Sequence, residues 1–437
     1  MKSIICLIIL LMSTAVAVAE EISSSQVRKY AKQLKALIHS ESKASLGEFI
    51  KEIGEIDHPK VVILLPPAAT QVPSRKNYRA ACKLIAKLEN DASIDALIKI
   101  LRKKRRVDFR EQNLILNAFG RRRDDKTLAA ILKSLASPIG HVQTSAVRAL
   151  RRRKQAEPIP VLIDLLDKQW EQRDRTFFEV YVALAELTGQ TFDSAEDWRN
   201  FWETVKANFD PRKVGKKKGA KTVVRPKPSP TDRNVAFFNS EIFSRSVVFV
   251  IDVSGSMAMY DGEDENYSRL TRAQEQLVAA LKKMPRGALF NVVAFSHTVK
   301  AWQDRMQPVT KAAITKAIKY VNSFKPLETT HTDEAMKRAF KDPRVDTVVL
   351  LSDGAPVKSK VRDTKRLMNK IIKWIQDANS SRQVRVDTFG FEGQGQWPSR
   401  YSGLSPPPPT RDQVRLFIKF LKKLSKDTGG RYQRINT

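Results

Sequence analysis

Three short segments of this 437-residue chain carry oxygen side chains at spacings that suit a hard cation. The first is Asp252-Val253-Ser254-Gly255-Ser256-Met257, where one carboxylate and two hydroxyls alternate with residues that offer no side-chain ligand. A turning loop can aim an Asp-x-Ser-x-Ser set at one point. Mg2+ takes about six oxygens at roughly 2.0–2.1 Å, so further donors are needed. Thr330, within Thr329-Thr330-His331-Thr332-Asp333, and Asp353, within Leu350-Leu351-Ser352-Asp353-Gly354, are the donors at hand. The rival reading is plain: Ser, Thr and Asp also serve as turn and helix N-cap residues. For the same reason Thr329 or Thr332 is an alternative to Thr330. Two carboxylates left unpaired at one place repel each other, and a dication relieves that repulsion.

The elements that must position these residues follow from the apolar pattern. Ser246 to Val253 is a continuous apolar run, which fits a buried parallel strand, and the first segment sits at its carboxyl end. Helices are expected from about Ser268 to Met284, from Thr310 to Asn322, after Thr332, from Thr364 to Ala378 and from Asp412 to Asp427. Strands are expected at Phe290 to Ser296, Thr347 to Leu351 and Arg385 to Phe391. Alternating strands and helices imply a mostly parallel sheet covered on both faces, an α/β doubly wound, Rossmann-like fold. Ligands in such sheets bind at the carboxyl ends of the strands.

Together the three segments resemble the metal-ion-dependent adhesion site of von Willebrand factor type A domains. The resemblance covers residues 240–437, with the elements in family order. It implies that Ser254 and Ser256 coordinate the metal directly, that Thr330 is the hydroxyl of the middle loop, and that Asp252 and Asp353 act directly or through water. It implies Mg2+, with Mn2+ or Ca2+ as alternatives, and a protein partner that supplies a carboxylate to the metal. It also implies a ligand-ready state coupled to a shift of the last helix. This is binding chemistry, and the expectation is that the protein is not an enzyme. The chain has no His-Glu-x-x-His helix, no Gly-x-Ser-x-Gly elbow and no phosphate loop. Of five histidines only His331 lies near the site; imidazole is a poor Mg2+ ligand, so it reads as loop packing or rim. Asp261-Gly262-Glu263-Asp264-Glu265 reads as a solvated acidic rim, with a second weak Ca2+ site as the minority alternative. Gly393 to Pro409 is a long loop before the last helix.

The rest of the chain has a different character. Residues 77–209 hold a degenerate repeat: Leu84-Ile85-Ala86, Ala118-Phe119-Gly120 and Ala149-Leu150-Arg151 each precede an apolar helical run, and a fourth copy starts at Ala183-Leu184. Each unit reads as two short amphipathic helices that cannot bury their apolar faces alone, so units stack into an all-α solenoid. This resembles short HEAT-type repeats. Trp198 and Trp202, spaced i, i+4, suit a capping helix rather than a stacking platform for a base or sugar. Residues 20–76 are helical and polar, with no role assigned. Residues 210–239 form a linker; between 211 and 230 it has eight Lys or Arg, no acid and four prolines, and it should let the two domains move independently.

Hydrophobic residues make up 42% of the chain, which excludes a disordered protein. The net charge is +31, spread over both halves, and no nucleic-acid recognition motif accompanies it. Basic runs at Arg102 to Arg106, Arg121 to Arg123 and Arg151 to Lys154 read as a solvated edge near helix C-termini, or alternatively as a surface for an anionic partner. Residues 1–19 read as a signal peptide: Lys2, an apolar run from Ile4 to Leu11, and Ala17-Val18-Ala19 before Glu20. An uncleaved N-terminal membrane anchor is the alternative. Cys82 is then alone, in a helical pattern, and reads as a buried core residue. The leading expectation is a secreted or periplasmic protein-binding module. The runner-up is a basic scaffold for anionic polymer or membrane surface, its type A domain serving assembly only.

Overall fold

The computed structural model describes residues 22–103, 108–215, 226–227, 235–327, 330–356, 363–393, 395–399 and 409–435. The expected leader (1–19), much of the expected linker (210–239), Thr329 and much of the 393–409 loop lie outside the described residues.

From Ser24 to Asn208 every described element is helical. Polar residues at the turns start the helices: Ser74, Asp108 and Asp174 accept from the backbone N–H of Asn77, Arg110 and Phe177. The inner layer is Lys43–Gly54 (α1), Arg75–Ala86 (α2), Phe109–Phe119 (α3), Gly140–Arg153 (α4) and Arg175–Thr188 (α5), each packed on the next. The helices Asp91–Arg102, Asp125–Ser134, Ile159–Lys168 and Ala195–Val205 make the second layer. Leu46, Phe49 and Ile50 of α1 join the same apolar core as Leu114, Leu150 and Leu184. The N-terminal region that the sequence leaves without a role is therefore the first layer of the stack.

Successive units are joined by a repeated device. A Cβ at Gly120 would lie 2.8 Å from Ala149 Cα, so only glycine lets the end of α3 touch α4 this closely. Arg122 donates to the carbonyls of Ala86 (3.2 Å) and Leu88 (2.6 Å), where α2 ends. Arg153, wholly buried, donates to the carbonyl of Phe119 (3.2 Å), where α3 ends, and to that of Asp124 (2.9 Å), which caps the next helix. One arginine of the second basic run and one of the third thus bond carbonyls at the end of the preceding unit's inner helix or in the turn after it. Trp198 is fully buried and meets Tyr181 edge-on at 6.1 Å, closing the far end of the core. Cys82 is buried, and burial pushes its thiol up to about 12, far from a reactive thiolate.

The second unit is a seven-stranded sheet: Ser246–Asp252 (β1), Leu289–Phe295 (β2), Val299–Ala301 (β3), Gln307–Pro308 (β4), Thr347–Ser352 (β5), Arg385–Phe391 (β6) and Tyr432–Ile435 (β7). The order is β3-β2-β1-β5-β6-β7, with β4 also on β2; the strands from β2 through β1 to β7 run parallel, and β3 and β4 are antiparallel. Helices Arg269–Lys283 (α6) and Lys311–Asn322 (α7) cover one face; Thr332–Ala339 (α8), Thr364–Ala378 (α9) and Arg411–Thr428 (α10) cover the other. Alternate residues of β1 face opposite ways: Val247, Phe249 and Ile251 join the core with α6 and α7, Val248 and Val250 the core with α8, α9 and α10. The protein is thus an all-α stack followed by an α/β doubly wound domain. The antiparallel β3 and β4, and the edge strand β7, go beyond the sequence reading. So does a short hairpin, Ala236–Phe237 with Ser240–Glu241, whose Phe237 is buried in the sheet domain's core.

The two units do not stand apart, as the linker composition suggests. Phe243 leaves the sheet domain and packs between Phe177 (6.1 Å) and Phe178 (5.1 Å) of α5. The Arg385 guanidinium lies 4.1 Å above the Phe178 ring. Arg173 and Glu241 form an ion pair at 2.6 Å with both side chains nearly buried. The turn before β6 enters the inner layer: Asn113 donates to the Ser381 carbonyl at 2.8 Å, and Arg148 to the Gln383 amide oxygen at 2.7 Å. The linker's composition speaks only of the linker, whereas the interface is made by residues far apart in sequence. A preparation cleaved between residues 211 and 230 is expected to run as a single complex of two fragments in gel filtration. Separate elution of the fragments would contradict this interface.

His141 lies at the same junction, half-buried and stacked on Phe109 at 4.6 Å. Burial, with Arg382 and Arg175 close by, pushes its imidazole down to about 4. The unfolded chain takes up a proton near pH 6.5 and the folded one does not, so this group destabilises the fold as pH falls from about 6.5 toward 4. The cost approaches on the order of 2 kcal/mol. His141→Leu should lose less stability between pH 7 and pH 5 than the parent in urea unfolding. An identical loss in both proteins would count against it.

Candidate metal centre

The hydrogen-bonding register of β1 fixes the site. Asp252, its last residue, is opposite Phe295 at the end of β2, and Ile251 is opposite Leu351 of β5, so Asp252 and Asp353 emerge at neighbouring strand ends. Asp252 is fully buried. Its Oδ1 accepts from the Ser254 backbone N–H at 2.8 Å, and its Oδ2 accepts from the Ser352 hydroxyl. Burial first, and the charge of Asp353 second, push its carboxyl up to about 7.

Beyond Asp252 the chain turns through a short 3-10 helix, Gly255–Ala258. Ser254 occupies the cap position of that turn, yet its hydroxyl makes no capping bond. It lies instead 3.2 Å from the Ser256 hydroxyl, which donates to Asp353 Oδ1 at 2.7 Å. Ser254, Ser256 and Asp353 therefore form one chain of oxygens beside Asp252. The turn-and-cap explanation of these hydroxyls does not apply to Ser254.

The middle loop is pinned on both sides of Thr330. Leu327 N donates to Val253 O at 2.7 Å, and His331 N donates to Ser296 O at 2.9 Å. Thr330 is buried on this loop, and no hydrogen bond among the described residues ties its hydroxyl to the other four side chains. Thr332 is also buried; it does not cap α8, and its hydroxyl has no partner among the described residues. The Ser296 hydroxyl at the end of β2 is likewise buried without a partner. Buried hydroxyls without partners are costly unless something completes them. His331 is half-buried, its backbone holding the loop, in keeping with loop packing.

Arg269, the first residue of α6, is the participant that the sequence pattern does not single out. Its Nη1 donates to Asp353 Oδ2 at 3.0 Å, its Nε donates to Asp261 Oδ2 at 2.7 Å, and its Nη2 donates to Asp261 Oδ1 and to the Gly393 carbonyl. All three side chains are almost completely buried. The expectation of two unpaired carboxylates therefore needs correction: Asp353 is half neutralised by Arg269, and Asp252 alone of the two has no cationic side chain at ion-pair distance among the described residues. The solvated acidic rim needs correction at Asp261, whose buried carboxylate is the counter-charge of an arginine placed at a helix N-terminus, where the dipole disfavours it. A basic residue at the first position of a helix was the only signal available in sequence. Tyr260 pairs with Gln396, and Glu265 accepts from Ser399, so the start of the long loop lies against the first ligand loop.

The donor set fits a hard cation: hydroxyls of Ser254, Ser256 and a middle-loop threonine, with two carboxylates. No group of three or more His, Cys, Asp or Glu that could hold a metal exists among the described residues, so a cation held here would depend on the hydroxyls.

A doubly wound sheet with a hydroxyl-rich first loop at its carboxyl end defines the class of domain, and comparison with known proteins gives it a name. The sequence profile of the von Willebrand factor type A domain matches residues 245–398, and this part of the chain is such a domain. The chain is similar to human von Willebrand factor A domain-containing protein 3A, 25% identical over 193 residues, 44% of this chain and 13% of that protein. It is also similar to inter-alpha-trypsin inhibitor heavy chain H2 of Mesocricetus auratus, 28% identical over 209 residues, 45% of this chain and 18% of that protein. It thus spans less than a fifth of the length of either relative. Among solved structures, a von Willebrand factor type A protein from Catenulispora acidiphila is 19% identical with a TM-score of 0.31, covering 44% of this chain and 38% of that one.

Arg269→Met keeps the volume and removes the charge. It should destabilise the protein by roughly 3–5 kcal/mol in urea unfolding, because two buried carboxylates lose their cation. The deficit should narrow on acidification, as those carboxylates take up protons. A loss under about 1 kcal/mol would show that the pair carries little.

Proposed function

We propose that this protein is an exported binding module that holds a divalent cation, Mg2+ first, at Asp252, Ser254, Ser256, Thr330 and Asp353, and uses it to bind a protein partner through the partner's carboxylate. The observation that carries the reading is the row of Ser254, Ser256 and Asp353 oxygens beside a buried, uncompensated Asp252, none of them spent on capping. When bound, the cation supplies a Lewis-acidic point of attachment. The residues of the chain do the rest. Asp252 is held at its angle by the Ser254 N–H and the Ser352 hydroxyl. Asp353 is aimed by Arg269, which takes one of its oxygens and leaves the other to Ser256. Thr332, with its unpartnered buried hydroxyl, is the alternative to Thr330 in the middle loop.

The comparisons support a protein-interaction or adhesion module as the general class. Binding with no chemical turnover is our reading, and so is export, which rests on reading residues 1–19 as a signal peptide, with an N-terminal membrane anchor as the alternative. No helix among the described residues is long and apolar enough to cross a membrane. We also propose the helical stack as a scaffold of HEAT type, with units at 77–209 and 240–437 joined by the 210–239 linker. The second reading, a basic scaffold held to anionic polymer or membrane, draws on the net charge of +31.

A pull-down from the protein's own extracellular or envelope fraction separates the two. On the cation reading, chelation abolishes partner capture, Mg2+ restores it, and Asp252→Ala lowers it at least about tenfold with the fold intact. Capture that survives chelation and disappears in raised salt would establish the scaffold reading in its place.

A further inference from the structure

A cleft of about 700 Å³ opens between the helical stack and the ends of α9 and α10, on the side of the molecule where the two units meet. Its walls carry Arg75, Arg79, Arg121, Arg152 and Lys154, none of which has a carboxylate within ion-pair distance among the described residues. The acids that line the same cleft are already engaged: Glu186 pairs with Arg151, and Asp427 takes Gln376 and Lys423. Arg148, also in the wall, is neutralised by Glu179 at 2.6 Å.

The internal repeat explains how this cluster arises. Arg122 and Arg153 are spent on the C-terminal carbonyls of α2 and α3. Their immediate neighbours Arg121 and Arg152 occupy equivalent places in successive units, and both face the cleft. Arg152 is held by Asn117, with bonds of 2.6 Å to its side chain and 3.1 Å to its backbone carbonyl. Burial, and then the nearby positive charge of Arg121, lower the proton affinity of Arg152, which means that the two cations are close enough to oppose each other.

Helix dipoles account for only part of the arrangement. Arg121, Arg152 and Lys154 lie at the ends of α3 and α4, where cations are favoured. Arg75 opens α2, where the dipole alone disfavours a cation, and the Asp377 carboxylate accepts from its backbone N–H at 2.9 Å; Arg79 lies a turn further on. Five cations with no carboxylate at ion-pair distance among the described residues, from three successive helices of the stack, therefore converge on one concavity. An anion with several charged oxygens would satisfy guanidinium groups of neighbouring helices of the stack at once, through paired N–H donors.

We propose that this cleft binds a small ligand bearing several oxyanion groups, of the phosphate- or sulfate-ester class. The site is separate from the sheet-end oxygens and does not depend on the cation reading. Because the walls belong to both units, a ligand seated there bridges α2, α3 and α4 to the ends of α9 and α10.

The test is calorimetric titration of the full chain, free of divalent cations, with inorganic tripolyphosphate at low and near-physiological salt. Saturable binding of one equivalent is expected, with a rise in melting temperature. The double variant R79Q/R121Q should melt no lower than the parent without ligand, since both side chains are exposed and unpaired, and should lose at least about tenfold in affinity. The control K311Q/K316Q removes the same charge from exposed positions on α7 and should change affinity less than about twofold. Equal loss in both variants would reduce the effect to overall charge and overturn the proposal. So would the absence of saturable binding, or binding of long polyphosphate chains alone.

Discussion

Two carboxylates buried at adjacent strand ends are the constraint around which the sheet domain is organised. Asp252 and Asp353 lie where a parallel sheet leaves its carboxyl-end groups open, and burial of like charges so close is unfavourable unless each is compensated. The fold compensates one of them. Arg269 is carried to Asp353 by α6 and is balanced in turn by Asp261, and its remaining donors hold the Gly393 carbonyl. Three loops are thereby tied to one guanidinium. Asp252 receives hydrogen bonds but no cationic side chain among the described residues, and its carboxyl is held up at about 7. This asymmetry, one carboxylate balanced and one left open, is the physical core of the metal-site proposal.

The same logic of compensated burial joins the two units. Glu179 sits wholly inside α5, where Arg148 and Arg175 hold its carboxyl well below the usual carboxylate range. Arg148 then reaches across to Gln383, and Arg385 covers Phe178 from the sheet side. The helical stack therefore presents its charged inner layer to the sheet domain. The turn before β6 is bonded to α3 through Asn113 and to α4 through Arg148.

Much of the fold is legible in the sequence because burial patterns are local. The seven residues of β1, all buried, read as a central parallel strand, and the helices of the sheet domain lie within a residue or two of their apolar periodicity. The three loops of the site are recognisable because their residue types and strand-end positions coincide. What escapes is non-local. β3 and β4 are too short to show a period, and β7 has only its last residue buried. Arg269 looks like any surface arginine until its two aspartates, one 8 and one 84 residues away, are brought together. The domain interface is hidden for the same reason: Phe243 reads as a loop residue until Phe177 and Phe178 close on it.

The central claim is that Asp252 is left open in order to be completed by a divalent cation together with the serine hydroxyls. It is tested most directly by calorimetric titration of Mg2+ and Mn2+ into the parent protein and Asp252→Ala, with folding checked by circular dichroism. The account predicts one saturable cation in the parent and its loss, by at least about tenfold in affinity, in the variant. Equal cation affinity in two equally folded proteins would contradict it.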